Sequence, residues 1–184
     1  MKRTSGAAAV AVAAAVVALL TPHPAAARTA AVSVAPAAAR QYYPDVDHIT
    51  CEINKERTRL NLPPLLVSDR ADDVGRSHAR DMASMERLTS VGSDGRNLRT
   101  RLSNAGVFSE RIYEFMFSGY DNDDYFMHMA TDPSPDNSFY KAMTSRDFVA
   151  WGLGYDRTYW DVNLLGPHRR LGARTAVCAA GSSS

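Results

Sequence analysis

The sequence has few of the features that mark the commoner functional classes. It holds only two cysteines, Cys51 and Cys178, with no CxxC pair and no Cys/His cluster, so a structural zinc site has no ligands to use. No nucleophile elbow of the G-x-S-x-G type occurs, which removes the usual frame for Ser/His/Asp chemistry. Charge of one sign is also missing: 21 basic and 20 acidic side chains nearly cancel, so bulk charge implies neither nucleic acid nor an anionic membrane as partner. Of the basic residues only Lys2, Lys55 and Lys141 are lysines, a bias without functional weight. Beyond the N-terminus no apolar run is long enough to cross a bilayer.

The N-terminus is built differently. Lys2 and Arg3 precede a run from Ala7 to Leu20 made only of Ala, Val and Leu. That run is too short and too weakly apolar for a comfortable span, and Pro22 and Pro24 break it before Ala25-Ala26-Ala27. This is the order of a secretory signal peptide, residues 1–27, with cleavage after Ala27 and Ala37-Ala38-Ala39 as an alternative site. Removing it leaves 19 basic against 20 acidic side chains, a formal charge of −1. Residues 28–43, Ala, Val, Pro and Arg without a helical face, read as a disordered leader. Residues 44–178 form the folded domain, and 179–184 a flexible tail.

Export bears on the cysteines. Outside the cytoplasm a thiol pair oxidises, and a Cys51–Cys178 bridge closing so long a loop would stabilise the fold by several kcal/mol. The competing reading is a free, buried Cys51 and a frayed Cys178.

Period and punctuation predict a helix from Asp45 to about Leu60, with Val46, Ile49, Ile53 and Leu60 on one face. Pro63-Pro64 makes Asn61–Val67 a connector. Ser68 then caps a second helix to about Arg87, with Ala71, Val74, His78, Met82 and Met85 inward. A turn at Gly92-Ser93-Asp94-Gly95, a short helix from Asn97 to Ala105, an aromatic stretch from Ile112 to Tyr120 and a helix begun by Asp121–Asp124 follow. After the loop Pro133–Asn137, strands are expected at Phe148–Tyr155 and Tyr159–Leu165. Three or four helices and a terminal hairpin predict an α+β fold with helices on an antiparallel sheet. The acidic run fails as a calcium loop, because position six is Phe126 and position twelve Asp132. Glu110 and Glu114 lack the opposed setting of a glycosidase pair.

From Ile49 to Gly166 six segments, taken in order, resemble the bacterial branch of the CAP (SCP-domain) superfamily of cysteine-rich secretory, antigen 5 and pathogenesis-related proteins. They are Ile53–Arg57 with Leu62-Pro63-Pro64-Leu65; His78–Ala83; Gly92–Gly95; Glu114 through Gly119-Tyr120; Gly152-Leu153-Gly154; and Tyr159-Trp160. The resemblance implies a three-layer α-β-α sandwich and a secreted protein. CAP domains often place two His and one or two Glu around a cleft that binds a divalent metal. Here Glu114 matches the family glutamate, while Ser90 and Asn137 stand at the two histidine positions. A hydroxyl and an amide replace imidazole poorly, so no metal and no cofactor are expected.

Ser90, Glu114 and Asn137 are then the expected lining of a ligand-binding cleft, with Glu114 in aromatic company and in need of a loop amide or hydroxyl as partner. No catalytic residue is assigned. The resulting expectation is a secreted, non-enzymatic module whose partner is a small apolar ligand or a cell-surface component. The alternative is an envelope hydrolase with Glu114 as general base, assisted by His128 or Ser90, though catalysis of this kind needs at least two cooperating groups.

Overall fold

A computed structural model describes residues 42–169 and 171–179. The expected signal peptide therefore lies outside the described residues, as do all but Tyr42 and Tyr43 of the expected leader and all but Ala179 of the expected tail. Tyr42 belongs with the core: its ring meets Tyr155 edge-on at 5.0 Å between centroids, and its hydroxyl donates to Asp123.

Five helices and four strands follow in the order α1 (Val46–Arg59), β1 (Leu66–Val67), α2 (Asp69–Met85), α3 (Leu98–Asn104), β2 (Ile112–Ser118), α4 (Asp123–Thr131), α5 (Ser138–Met143), β3 (Ala150–Asp156) and β4 (Tyr159–Leu165). Each helix begins where a short polar side chain accepts a bond from a first-turn N–H: Asp45, Ser68, Asn97, Asn122 and Asn137. The sheet runs β1-β3-β4-β2. Its three long strands are antiparallel, as expected, and the two-residue β1 adds a parallel edge where only a connector was foreseen. The aromatic stretch is strand β2, and α5 is a further helix after the proline loop.

Strand alternation sorts the side chains into two layers of core. On one face Phe117, Trp151, Leu153, Trp160, Val162 and Leu164 pack against Ile49 and Ile53 of α1, Phe126 of α4 and Phe139 of α5. On the other, Ala150 and Leu165 meet Ala71 and Val74 of α2 and Leu98 and Leu102 of α3. The result is the expected α-β-α sandwich. Helix α2 lies close on β3 because Gly152 and Gly154 present no side chain: a Cβ on Gly154 would stand 1.8 Å from the carbonyl carbon of Gly75. Burial pushes the Asp72 carboxyl on α2 up to about 7, although it accepts a 2.7 Å bond from the Leu153 N–H that ties helix to strand.

Two ties hold the periphery. Arg57, buried in α1, donates to the carbonyls of Pro63, Met143, Ser145 and Phe148, joining the loop before β1 to the segment before β3. Cys51 and Cys178 are bridged, with their Cα atoms 5.7 Å apart, which closes the free-thiol alternative. The same C-terminal segment is held by Arg174, which pairs with Asp47 and Asp69 and exchanges backbone bonds with Val67.

Candidate functional site

The sheet face toward α2 and α3 carries an unusual set of inward polar groups. Because β2 pairs with β4 in the register Glu114↔Asn163 and Met116↔Asp161, the side chains of Glu114, Asp161 and Asn163 all project to this face. Tyr113, Phe115 and Phe117 alternate to the opposite one, where Phe115 stacks on Phe139 at 4.4 Å. The aromatic stretch thus serves the other core layer, and Glu114 has a polar neighbourhood instead of the aromatic one expected for it.

Its partner is Arg101. From α3 the guanidinium donates through Nη2 to the Glu114 carboxylate, and both side chains are about nine-tenths buried. Nη1 donates to the carbonyls of Ser90 at 3.0 Å and Arg96 at 2.9 Å, so the same group fastens the turn between α2 and α3. Asp81 secures the other side of that turn, accepting from the Ser93 N–H at 2.7 Å and the Ser93 hydroxyl at 2.6 Å. These bonds, the hydroxyl's first, hold the Asp81 carboxyl below its usual range.

His78 of α2 is fully buried, as its place on the inward face predicts. Its Nε2 lies 2.7 Å from the Thr89 carbonyl, which assigns the proton to that nitrogen, and 4.0 Å from Glu114 Oε1. Burial, followed by the positive charge of Arg101, lowers the imidazole's pKa and keeps it neutral. Burial also raises Glu114 above the ordinary range, with the Arg101 charge opposing. Asp161 is pushed well above its ordinary value by burial and then by the Glu114 charge, and the Asn163 amide donates to it at 3.3 Å. His78, Asp161 and Asn163 thus surround the Arg101–Glu114 pair, and His78 Nδ1, Arg101 Nε, Asp161 Oδ1 and Asn163 Oδ1 are buried there without a hydrogen-bond partner among the described residues. Over them opens a cleft of about 310 Å3, whose lining includes Ser77, Arg80, Asp81, Ser93, Asp94 and Arg101.

Of the residues expected to line a cleft, Ser90 and Glu114 are both bonded to Arg101, but neither is among the residues that line this opening. Asn137 stands elsewhere. Its side chain caps α5 and donates to the carbonyls of Met129 and Asp132, at the α4–α5 turn in the layer across the sheet. His128 is exposed on α4 in that same layer, so it is not beside Glu114 either. The physical reason is the pleat: α5 follows Phe139 into the aromatic core on the face that Glu114 does not share. Sequence reasoning missed Arg101, although it occupies the apolar stripe of α3 with Leu98, Leu102 and Ala105, where a charged residue needs a buried partner.

A family model described as CAP, the cysteine-rich secretory protein family, matches residues 51–164. The chain belongs to the CAP family. Solved CAP-type structures share its fold. An extracellular protein containing an SCP domain from Bacillus anthracis is 20% identical with a TM-score of 0.57, covering 65% of this chain and 39% of its own. A cysteine-rich secretory protein of Staphylococcus aureus is 13% identical with a TM-score of 0.51, covering 65% and 37%. An outer surface protein of Borrelia burgdorferi is 21% identical with a TM-score of 0.53, covering 66% and 90%. The chain therefore spans well under half the length of the first two, and no curated protein matches its sequence.

A divalent metal of the kind CAP domains often hold does not fit this donor set. The Glu114 carboxylate is already occupied by a guanidinium, the nearby imidazole donates to a carbonyl, and Ser90 contributes only its backbone oxygen. Among the described residues no group of three His, Cys, Asp or Glu side chains is arranged to hold a metal ion.

Proposed function

We propose that this CAP domain is a secreted, non-enzymatic interaction module that contacts a cell-surface component through the polar cleft between α2 and the Ser90–Arg96 turn. The observation that carries the reading is the ion pair of Glu114 with Arg101. A general base must offer a lone pair to a substrate proton, but this carboxylate is engaged by a guanidinium and about nine-tenths buried. His78 is neutral, fully buried and bonded to Thr89, so a second cooperating group is missing as well. The hydroxyls and carboxylates at the cleft mouth favour a polar surface component. A small apolar ligand loses its support, because Phe117 is buried and Tyr113 and Phe115 pack against the core on the face away from the cleft.

Secretion is supported by the order of residues 1–27, by the disulfide, and by the extracellular and outer-surface proteins that share the fold. Among the described residues no helix is long and apolar enough to cross a membrane. The test pairs wild type with Glu114→Gln on ester substrates and peptidoglycan fragments, and with Ser93→Ala/Asp94→Ala in sedimentation with isolated cell-envelope material. The reading expects no turnover by either protein of the first pair and weakened sedimentation in the cleft variant. Turnover lost in Glu114→Gln, or sedimentation indifferent to the cleft variant, would overturn it.

A further inference from the structure

The two edges of the sheet are finished differently. At β1 the C-terminal segment lies alongside: Val67 and Arg174 exchange backbone bonds of 2.8 Å, and the disulfide and the Arg174 ion pairs pin that segment in place. At the other edge β2 runs for seven residues with β4 on one side only. The Gly119 N–H donates to Thr158 at 3.1 Å and the Gly166 N–H to Arg111 at 2.7 Å, which fixes the phase of the ladder. Tyr113, Phe115 and Phe117 therefore bond to β4, while the backbone N–H and C=O groups of Ile112, Glu114, Met116 and Ser118 point outward. None of those outward groups has a hydrogen-bond partner among the described residues. Soluble proteins blunt such an edge with lysine, proline, a bulge, a very short strand or an inward charge. Strand β2 has no lysine or proline, pairs residue for residue with β4, and its inward charge, Glu114, is already neutralised by Arg101.

We propose that the bare edge of β2 is a self-association site, where β2 of a second copy of this chain adds antiparallel and continues the sheet across a two-fold axis at Phe115. In that register Ile112 of one copy meets Ser118 of the other and Glu114 meets Met116, so every outward N–H and C=O is paired. On the face toward α4 and α5, Phe115 stands opposite its own counterpart and Tyr113 opposite Phe117, which are favourable aromatic cross-strand pairs. On the other face no like charges meet, because the strand's single carboxylate faces a methionine. Tyr113 and Phe115 are only half-buried in one copy and gain cover from the second. A seven-residue strand is about 24 Å long, and with a contact roughly 20 Å deep the pairing covers about 500 Å2 on each copy, about 1,000 Å2 in all. That area is at the lower bound for a specific interface and fits a reversible dimer with a dissociation constant on the order of 10–100 μM. The residues lining the polar cleft lie off β2, so this surface is separate from the one proposed above.

The experiment takes the oxidised mature chain through sedimentation velocity from about 1 μM to about 1 mM, with residue-resolved amide hydrogen exchange over the same range. A monomer–dimer equilibrium is expected, in which the amides of Ile112, Glu114, Met116 and Ser118 exchange at least ~10-fold more slowly in the dimer, while those of Tyr113, Phe115 and Phe117 are slow at every concentration. Met116→Pro removes an outward N–H without taking a bond from β4, so it should weaken the dimer at least ~10-fold. Ser118→Pro, at the end of the strand, gives the same readout if Met116→Pro does not fold. A chain that stays monomeric to about 1 mM overturns the inference and leaves the edge to a different polypeptide. A dimer whose outward amides stay fast overturns it as well, as does a folded proline variant that dimerises as tightly as wild type. Outward amides that are already slow in the monomer also overturn it, since another part of the same chain would then cover the edge.

Discussion

Replacing Cys51 and Cys178 by serine should cost the domain about 5 kcal/mol, most of its expected stability. The two residues are separated by 127 positions, so the bridge closes nearly the whole folded chain. In the chain-entropy treatment a loop of that length removes roughly 16 cal/mol/K from the unfolded state, about 5 kcal/mol at 25 °C. Little packing is lost with the sulfurs, because Cys51 is only half-buried and Cys178 lies in an exposed segment. The C-terminal segment keeps its other ties, the Arg174 pairs with Asp47 and Asp69, but these are surface ion pairs worth about 1 kcal/mol or less each. Urea unfolding read by tryptophan fluorescence follows the change. With a slope near 2 kcal/mol/M, the midpoint should fall by about 2.5 M, and wild type unfolded in reductant should match the double variant. A double-serine variant within about 1 kcal/mol of oxidised wild type would refute the argument, since it would mean the ends are held by contacts alone.

Gly154→Ala should cost about 3 kcal/mol or more, because its Cβ would meet the backbone of Gly75, which cannot move without lifting α2 from β3. Gly95→Ala, at a φ of +78° but with nothing within 4 Å, should cost only about 1 kcal/mol, both variants being read by the same urea unfolding. Arg57→Met strands four carbonyl acceptors, two of them in buried contacts, and should lower stability by roughly 3–5 kcal/mol in chemical denaturation, whereas a loss below 1 kcal/mol would deny the tie its role. Asp72 gives a pH signature: with its folded pKa raised to about 7 from 3.8, folding takes up a proton, so wild type loses stability as pH rises through that interval and levels off above it. Asp72→Asn keeps an acceptor for the Leu153 N–H without the titration, so its stability relative to wild type should rise by a few kcal/mol between about pH 4 and pH 8. A difference independent of pH would refute that burial.

Much of the fold is legible in local sequence. Asp45, Ser68, Asn97 and Asn122 announce helix starts because their side chains satisfy N–H groups that no helix can bond internally. The hairpin β3–β4 shows in its alternation, and the gap between Gly152 and Gly154 marks where α2 approaches. Strand β1 is invisible because two residues have no period, and its pairing with Ala150 and Trp151 is made across more than eighty positions of chain. Helix α5 is short, and its cap Asn137 reads equally as a loop residue or as the substitute for a family histidine.

The site divides in the same way. Glu114 is legible as a carboxylate in a strand, and the family pattern adds Ser90. What the sequence does not display is which face of β2 Glu114 takes, and that follows only from the register with β4. Shifting attention by one residue along a strand moves the site from the aromatic layer to the polar one. Arg101, thirteen positions before Glu114, is brought to it by the packing of α3 on α2, a tertiary fact with no periodic signature.

The central claim is that the buried Glu114 carboxylate beneath the cleft is neutralised by the protein's own arginine and needs no metal. Calorimetric titration of the oxidised, metal-stripped wild-type domain with zinc tests it most directly. The account predicts no saturable binding at up to about 100 μM zinc, a free energy weaker than roughly −5.5 kcal/mol. One tight site per chain, abolished by Glu114→Ala, would contradict it.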